Sequence, residues 1–363
     1  MSDNKFGRIL GGDSQELEKA YEEYSKLPLD QDCMSEDPAP VHRNLRTISK
    51  PVTISGPGTF MGKETRTLHL EPTDREGWWF DRSDHAGSLP VKVSIRNVWT
   101  TGQIVSNIVL RSGPPHNYIR LVEHIIALRS GLDIDNLMIR LDSGDPPLFN
   151  KGSLDLVEAL EDAGRHEYEH PVTYLSVKEK VTFGMPGNKF LTIEPVDENR
   201  LALDIDCAVN FKTAIRTQRI SFPVNYDLTK MASVARTNTS FAKMLFCATF
   251  GKFFADIRNL GYNMKNVLVA GKFKYVNEPR LDHEGKALEA VWHRAVLDLL
   301  AAVALIDEGR LLGKITSYKA GHSMDVEMIR LLYKHDLLKE VKLDGKSDSQ
   351  GGQTENKDKI EFS

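Results

Sequence analysis

The order of the hydrophobic periodicities constrains this chain more than any single motif: patterns of period two come first, helical patterns follow, and the whole succession occurs twice. In the first half, TLHL at 67–70 and VKVSI at 91–95 alternate or run apolar between turn residues, as strands do. YIRLVEHIIALRSG over 118–131 then predicts a helix with Gly131 at its C-terminal cap. A strand at 137–141, a Pro-rich loop and a helix at 153–163 complete this half. From Val172 the plan starts again, with strands near 172–183, 189–194, 200–209 and 213–222 and MPGN at 185–188 as a hairpin turn. Helices follow: an apolar, aromatic segment MLFCATFGKFF at 244–254, an Ala/Leu-rich helix from Lys286 to Ile306, and a last helix over 323–340. Strands then helices, twice, predicts an α+β fold of two domains, 44–170 and 171–342, each a mostly antiparallel sheet with helices packed on one face. No repeat is evident at the level of sequence identity.

Outside this double unit the chain reads differently. Residues 1–42 carry ten acidic against four basic side chains and end in DPAP. Leu17, Ala20, Tyr21 and Tyr24 recur at helical spacing, which allows one short amphipathic helix, but the composition predicts a mobile acidic extension over 1–43. The Gly/Ser/Lys-rich stretch 343–363 is expected to be disordered.

Bulk properties exclude several classes. A net charge of −4 gives no electrostatic reason for a nucleic-acid partner. Cys33, Cys207 and Cys247 have no close spacing, which argues against a disulfide framework or a cysteine metal site and suits a reducing compartment. MSDNKFGRIL has no apolar core of the signal-peptide kind, and the longest apolar run, Leu299 to Ile306, is too short to span a bilayer. A cytoplasmic location is the expectation.

Four local features carry chemistry. ValGluHis at 122–124 puts a carboxylate beside an imidazole at the start of a helix. AlaArgThrAsn occupies 235–238. WHRAVLD at 292–298 sets His293 and Asp298 in an Ala/Leu-rich helix, where a buried carboxylate needs a cation or a hydrogen-bond partner. SYKAGH at 317–322 is a Gly-His turn between a strand and a helix.

These features, in this order, resemble the UDP-3-O-acyl-N-acetylglucosamine deacetylases that open lipid A synthesis. The resemblance runs from about Asn44 to Val341. NLRTISKPVTISGPGTFMGKETRTLHLEP is similar to the family's opening strand pair and Gly-rich turn, and LVEHIIALRSGLDIDN to the helix bearing its first zinc histidine. ASVARTN resembles the family's Ser-x-Ala-Arg-Thr-Phe, and ITSYKAGHS its Tyr-Lys-Ser-Gly-His-Ala. The resemblance implies an active site between the two domains and zinc as cofactor, held by His124, His293 and Asp298. It implies Glu123 as general base and His322 as the group that protonates the leaving amine or steadies the oxyanion, with Thr237 bonding the oxyanion. Lys319, Arg236 and Phe211 would face the substrate, an acylated sugar nucleotide. It implies a monomer in peripheral contact with the inner membrane surface, with MLFCATFGKFF falling where the family lines an acyl-chain passage; an ordinary core helix is the other reading of that segment.

Four departures bear on that site. The family's His and Asp ligands are four residues apart, whereas His293 and Asp298 are five apart, and in a regular helix that spacing separates them by about 140°. Either a π-bulge brings the two back together, or alignment on Asp298 puts Arg294 in the histidine's place and the metal site is lost. The family's Asp that partners the catalytic histidine is replaced by Ala301 or Ala302, so His322 is expected to have a lower pKa and a looser orientation. AVNF at 208–211 stands for the family's Asp-Phe-Asn-His in the uridine site, which moves the aromatic platform to Phe211 or removes it. Phe60 or a neighbour replaces the histidine of the Gly-rich turn. Beside the hydrolase stands an alternative: a non-catalytic or weakly catalytic descendant that binds a lipid-like ligand or a protein.

Overall fold

The computed structural model describes residues 5–59, 63–102, 107–241, 245, 261 and 263–343. MLFCATFGKFF, apart from Leu245, lies outside the described residues, as do Phe60 and the tail from 344 onward. No helix among the described residues is long and apolar enough to cross a membrane.

Three elements precede the double unit: strand β1 (Arg8–Gly11), helix α1 (Ser14–Ser25) and strand β2 (Gln31–Asp32). The first unit then supplies β3 (Val52–Pro57), β4 (Thr65–Glu71), β5 (Trp78–Arg82), β6 (Val91–Lys92), α2 (Glu123–Ile126), α3 (Leu128–Gly131), β7 (Leu137–Leu141) and α4 (Leu154–Asp162). The second supplies β8 (Val181–Met185), β9 (Lys189–Glu194), β10 (Leu203–Asn210), β11 (Thr217–Pro223) and α5 (Tyr226–Ala232). After them come β12 (Thr237–Ser240), β13 (Val267–Ala270), α6 (Glu289–Trp292), a π-helical turn (His293–Leu299), α7 (Leu300–Val303), β14 (Gly313–Tyr318) and α8 (His322–Lys334).

The two main sheets share one topology. The first has the order β3-β4-β7-β5-β6, and the core of the second β8-β9-β14-β10-β11. In each, the fifth strand in sequence inserts between the second and third, antiparallel to the second and parallel to the third, and the remaining pairs are antiparallel. The duplication expected from periodicity is therefore present in the backbone. The fold is α+β.

The chain before residue 44 is not a loose extension at the residues described. β1 pairs in parallel with β8 at one edge of the second sheet, and β2 pairs in parallel with β11 at the other. Between them α1 lies across the sheet, capped by the Asp13 carboxylate, which accepts from the Gln15 and Glu16 amides at 3.0 Å each. Leu17, Ala20 and Tyr24 are buried with Phe6, Phe190, Ala208 and Tyr318. The alternate residues Ile205, Cys207 and Val209 of β10 point the other way, into the main core. The second sheet is thus covered on both faces. Acidic composition suggested mobility, whereas the apolar stripe of α1 decides the outcome by burial.

Two local expectations need correction. Tyr118–Arg120 is a strand, and Leu121 has the left-handed φ of 56° that ends it, so the helix begins only at Glu123. Gly131 is not a left-handed cap but a close-approach residue: a Cβ there would lie 2.0 Å from the Thr229 hydroxyl oxygen of α5. A buried charge network ties the segments together. Asp135 meets His42 Nε2 at 3.0 Å, the Arg46 amide at 2.8 Å and the Arg310 guanidinium at 3.0 Å.

Candidate metal centre

The site forms where α2 of the first unit packs against the π-helical turn and α7 of the second. α2 begins at Glu123, which presents His124 from its first turn. The π-helical turn over His293–Leu299 resolves the spacing conflict. A π turn closes on the residue five along rather than four, and it returns Asp298 to the face of His293, with Asp298 Oδ1 3.6 Å from His293 Nδ1. His293 Nε2 lies 2.9 Å from His124 Nε2. One donor atom from each of His124, His293 and Asp298 falls within 4.8 Å of the others, the only such cluster among the described residues.

Two imidazoles and one carboxylate suit zinc among the common metals. Burial first, and then His293, pushes the His124 imidazole down to about 3, so it is held in the neutral form that ligates metal. Burial alone would raise Asp298; the adjacent His293 and His322 outweigh it, and the carboxyl is held below the usual range, ionised. His124 and Asp298 are therefore held in the protonation states that ligate metal.

The remaining residues expected at the site surround this cluster. Glu123 is buried, its Oε2 accepting the Ile108 amide at 3.1 Å, and burial pushes its carboxyl up to about 8. The Thr237 hydroxyl, at the start of β12, is 3.1 Å from His293 Nε2 and 3.4 Å from His124 Nε2. His322, the first residue of α8, brings its Nε2 to 3.3 Å from Asp298 Oδ1. A pocket beside Glu123, His124 and Thr237 is walled by Leu121, Leu148, Phe149 and Leu156.

The His322 imidazole lies below its ordinary range, for a cause other than the missing carboxylate alone. Burial lowers its pKa first, Asp298 opposes, and Arg294 and His293 add to the lowering. Its Nδ1 finds no hydrogen-bond partner among the described residues. Ala301 and Ala302 are both buried and offer none.

Other expected site residues are elsewhere. Arg294 does not take a ligand position: it is buried, donating to the Ala320 carbonyl at 3.0 Å and to Asp325 Oδ1 at 2.5 Å. Arg236 is committed to structure rather than substrate. Its guanidinium clamps the buried Glu289 carboxylate at 2.7 and 2.9 Å and donates to the Glu278 carbonyl at 2.6 Å. Phe211 packs half-buried against Ile215, Ala270 and Ala290. The Lys319 ammonium bonds Glu23 of α1 at 2.7 Å. Glu23 and Asp325 were not foreseen; the helical spacing of Leu17, Ala20, Tyr21 and Tyr24 was the available signal for the first, whereas the pairing of Asp325 with Arg294 leaves none.

Known proteins are similar to this chain in sequence. The sequence model of UDP-3-O-acyl N-acetylglycosamine deacetylases matches residues 45–334. A UDP-3-O-acyl-N-acetylglucosamine deacetylase of Cellvibrio japonicus is 28% identical over 295 residues, covering 79% of this chain and 89% of that protein. Proteins of the same name from Pseudomonas entomophila and Hahella chejuensis are each 28% identical over 296 residues, with the same coverage. With residues 45–334 matched, most of its length, the chain belongs to the UDP-3-O-acyl N-acetylglycosamine deacetylase family.

Proposed function

We propose that this protein is a zinc-dependent hydrolase that removes the N-acetyl group from UDP-3-O-acyl-N-acetylglucosamine or a related acylated amino sugar. The observation that carries the proposal is the convergence of His124, His293 and Asp298, the last two brought to one face by a π-helical turn. When bound there, zinc would polarise the acetamide carbonyl and acidify water at its open position.

The chain's own residues divide the remaining work. Glu123, next to His124 in the chain, is suited in its ionised form to accept the proton of the attacking water; burial pushes its carboxyl up to about 8, and a cation held by the neighbouring ligands would favour the carboxylate. His322, with its Nε2 3.3 Å from Asp298 Oδ1, can deliver a proton to the departing amine nitrogen when it is the imidazolium, a form that Asp298 favours and burial opposes. The Thr237 hydroxyl can donate to the oxyanion as it forms. Leu121, Leu148, Phe149 and Leu156 give the pocket an apolar wall that suits an acyl chain and excludes water from the polar groups beside it. With this activity goes a two-domain organisation, 44–170 and 171–342, and a cytoplasmic monomer working in peripheral contact with the inner membrane surface.

The direct assay is acetate release from UDP-3-O-acyl-N-acetylglucosamine by metal-repleted protein. Release that disappears in His293→Ala supports the proposal. No release by the zinc-loaded wild type would overturn it.

A further inference from the structure

Arg294 follows the metal-ligating His293 in the chain yet takes no part in the proposed chemistry. From the π-helical turn its guanidinium reaches across to the segment that carries His322. Nε donates to the Ala320 carbonyl at 3.0 Å, and Nη2 donates to Asp325 Oδ1 at 2.5 Å and to Ser317 Oγ at 3.4 Å. Ser317 lies in β14, Ala320 in the turn after it, and Asp325 in the first turn of α8. The contacts therefore bracket His322 on both sides in sequence. The side chains of Arg294, Ser317 and Asp325 are all buried.

His322 has little else to fix it. Its Nε2 lies 3.3 Å from Asp298 Oδ1, its Nδ1 finds no hydrogen-bond partner among the described residues, and Ala301 and Ala302 offer no polar side chain. α8 starts at His322 behind Gly321, which has no side chain to cap it. Lys319, just ahead, has a left-handed φ of 53°, a conformation that persists in a residue other than glycine where the surroundings hold it. Two further side-chain bonds reach this turn, Lys319 Nζ to Glu23 at 2.7 Å and Ser323 Oγ to Thr101 Oγ1 at 2.9 Å, and both are open to solvent.

As a device for stability alone, the buried pair is a poor one. Arg294 Nη1 and Asp325 Oδ2 meet no partner among the described residues, and a buried ion pair left with an open donor and an open acceptor gains little over apolar side chains of similar volume. What it supplies that apolar groups cannot is direction. The guanidinium is a rigid planar fork whose donors point at fixed angles. It ties the π-helical turn, which bears His293 and Asp298, to the turn that bears His322 in a single register.

We propose that Arg294 and Asp325 are positioning residues for His322: they tether its turn to the π-helical turn and so aim the imidazole at the metal centre, the work that a carboxylate at 301 or 302 would otherwise do. Neither touches the reacting atoms. The role of His322 rests on the deacetylase reading, whereas the tether stands on the geometry.

The test compares the full-length, zinc-loaded wild type with Arg294→Met/Asp325→Leu, Arg294→Lys, His322→Ala and the triple variant Arg294→Met/Asp325→Leu/His322→Ala. The paired apolar replacement keeps the core filled, and Arg294→Lys keeps a charge opposite Asp325 while losing the fork, so one of them stays folded if the other does not. With zinc content unchanged, kcat for acetate release should fall roughly 10²-fold in the paired variant and about tenfold in Arg294→Lys, with KM within about twofold of wild type. The triple variant should be no slower than His322→Ala, because the pair acts through that residue. Losses that multiply would place the pair's effect elsewhere and overturn the proposal, as would wild-type kcat in a folded paired variant or in Arg294→Lys. Amide hydrogen exchange over residues 319–325 reads the tether without turnover: it should speed up about tenfold in the paired variant and in Arg294→Lys, with 137–141 unchanged. Unaltered exchange overturns the tether. Faster exchange in protein whose wild type releases no acetate would sink the deacetylase function and leave the tether standing; acetate release with unaltered exchange would do the reverse.

Discussion

Replacing Asp325 by alanine should be among the most damaging single changes outside the metal ligands. Asp325 is fully buried, and its Oδ1 is the counterion of Arg294, whose side chain is only 7% exposed. Removing the carboxylate leaves a guanidinium in the core whose remaining hydrogen bonds go to neutral groups, the Ala320 carbonyl at 3.0 Å and the Ser317 hydroxyl at 3.4 Å. Breaking a buried pair in this way costs about 3–5 kcal/mol, a large share of a typical net stability of about 5–15 kcal/mol. The native pair is itself poorly compensated. Arg294 Nη1 and Asp325 Oδ2 meet no partner among the described residues, and burial pushes the Asp325 carboxyl up to about 7 against the pull of Arg294. An apolar replacement of both partners, Arg294→Met with Asp325→Leu, should therefore return to within about 1 kcal/mol of wild type. Urea unfolding of the wild type, both single variants and the double variant closes the cycle. A coupling of about 2 kcal/mol or more is expected. Additive losses, with the double variant the least stable, would refute the reasoning.

Three further outcomes follow from the same structure. Glu123→Gln should retain metal while turnover falls roughly 10²-fold or more, as seen by comparing metal content with acetate release; loss of the metal with the rate would show a ligand or structural role instead. For Asp135, burial would raise the pKa, but the His42 hydrogen bond, Arg310 and the Arg46 amide outweigh it and hold the folded carboxyl below its unfolded value. Its stabilisation is thus fully present above about pH 4 and lost as pH falls below, so the stability gap between wild type and Asp135→Asn should shrink between about pH 5 and pH 2; a gap independent of pH would contradict this. Gly131→Ala should destabilise by about 1–3 kcal/mol through collision with Thr229, and Gly131→Ala/Thr229→Ala should recover most of that; an undiminished loss in the double variant would point to backbone effects.

The parts of the fold legible in the sequence are those written in local periodicity. β4 alternates Leu68 and Leu70 inward with His69 outward, and the recurrence of strands followed by helices could be read from such patterns, whereas the insertion of the fifth strand between the second and third in each sheet could not. The metal cluster was legible as a set of residues, while its closure was not. A five-residue spacing is compatible with a bulged helix or a broken site, and packing of the turn against α2 decides between them. Residues whose fate depends on distant partners were misread. Arg236 finds Glu289 and Gly131 finds Thr229, in each case across a long stretch of chain, and the apolar stripe of α1 has meaning only once Phe190, Ala208 and Tyr318 form a face for it. Composition misled at the N-terminus because ten acidic residues say nothing about three or four well-placed apolar ones.

His124, His293 and Asp298, the last two joined by a π-helical turn, form the proposed zinc site. Its most direct test is the zinc content of the metal-repleted, desalted full chain, by elemental mass spectrometry, beside His124→Ala, His293→Ala and Asp298→Ala. The account predicts about one zinc per wild-type chain and a loss of affinity in every variant large enough to leave each near zero after desalting. Wild-type protein without zinc, or zinc retained in full by Asp298→Ala, would contradict it.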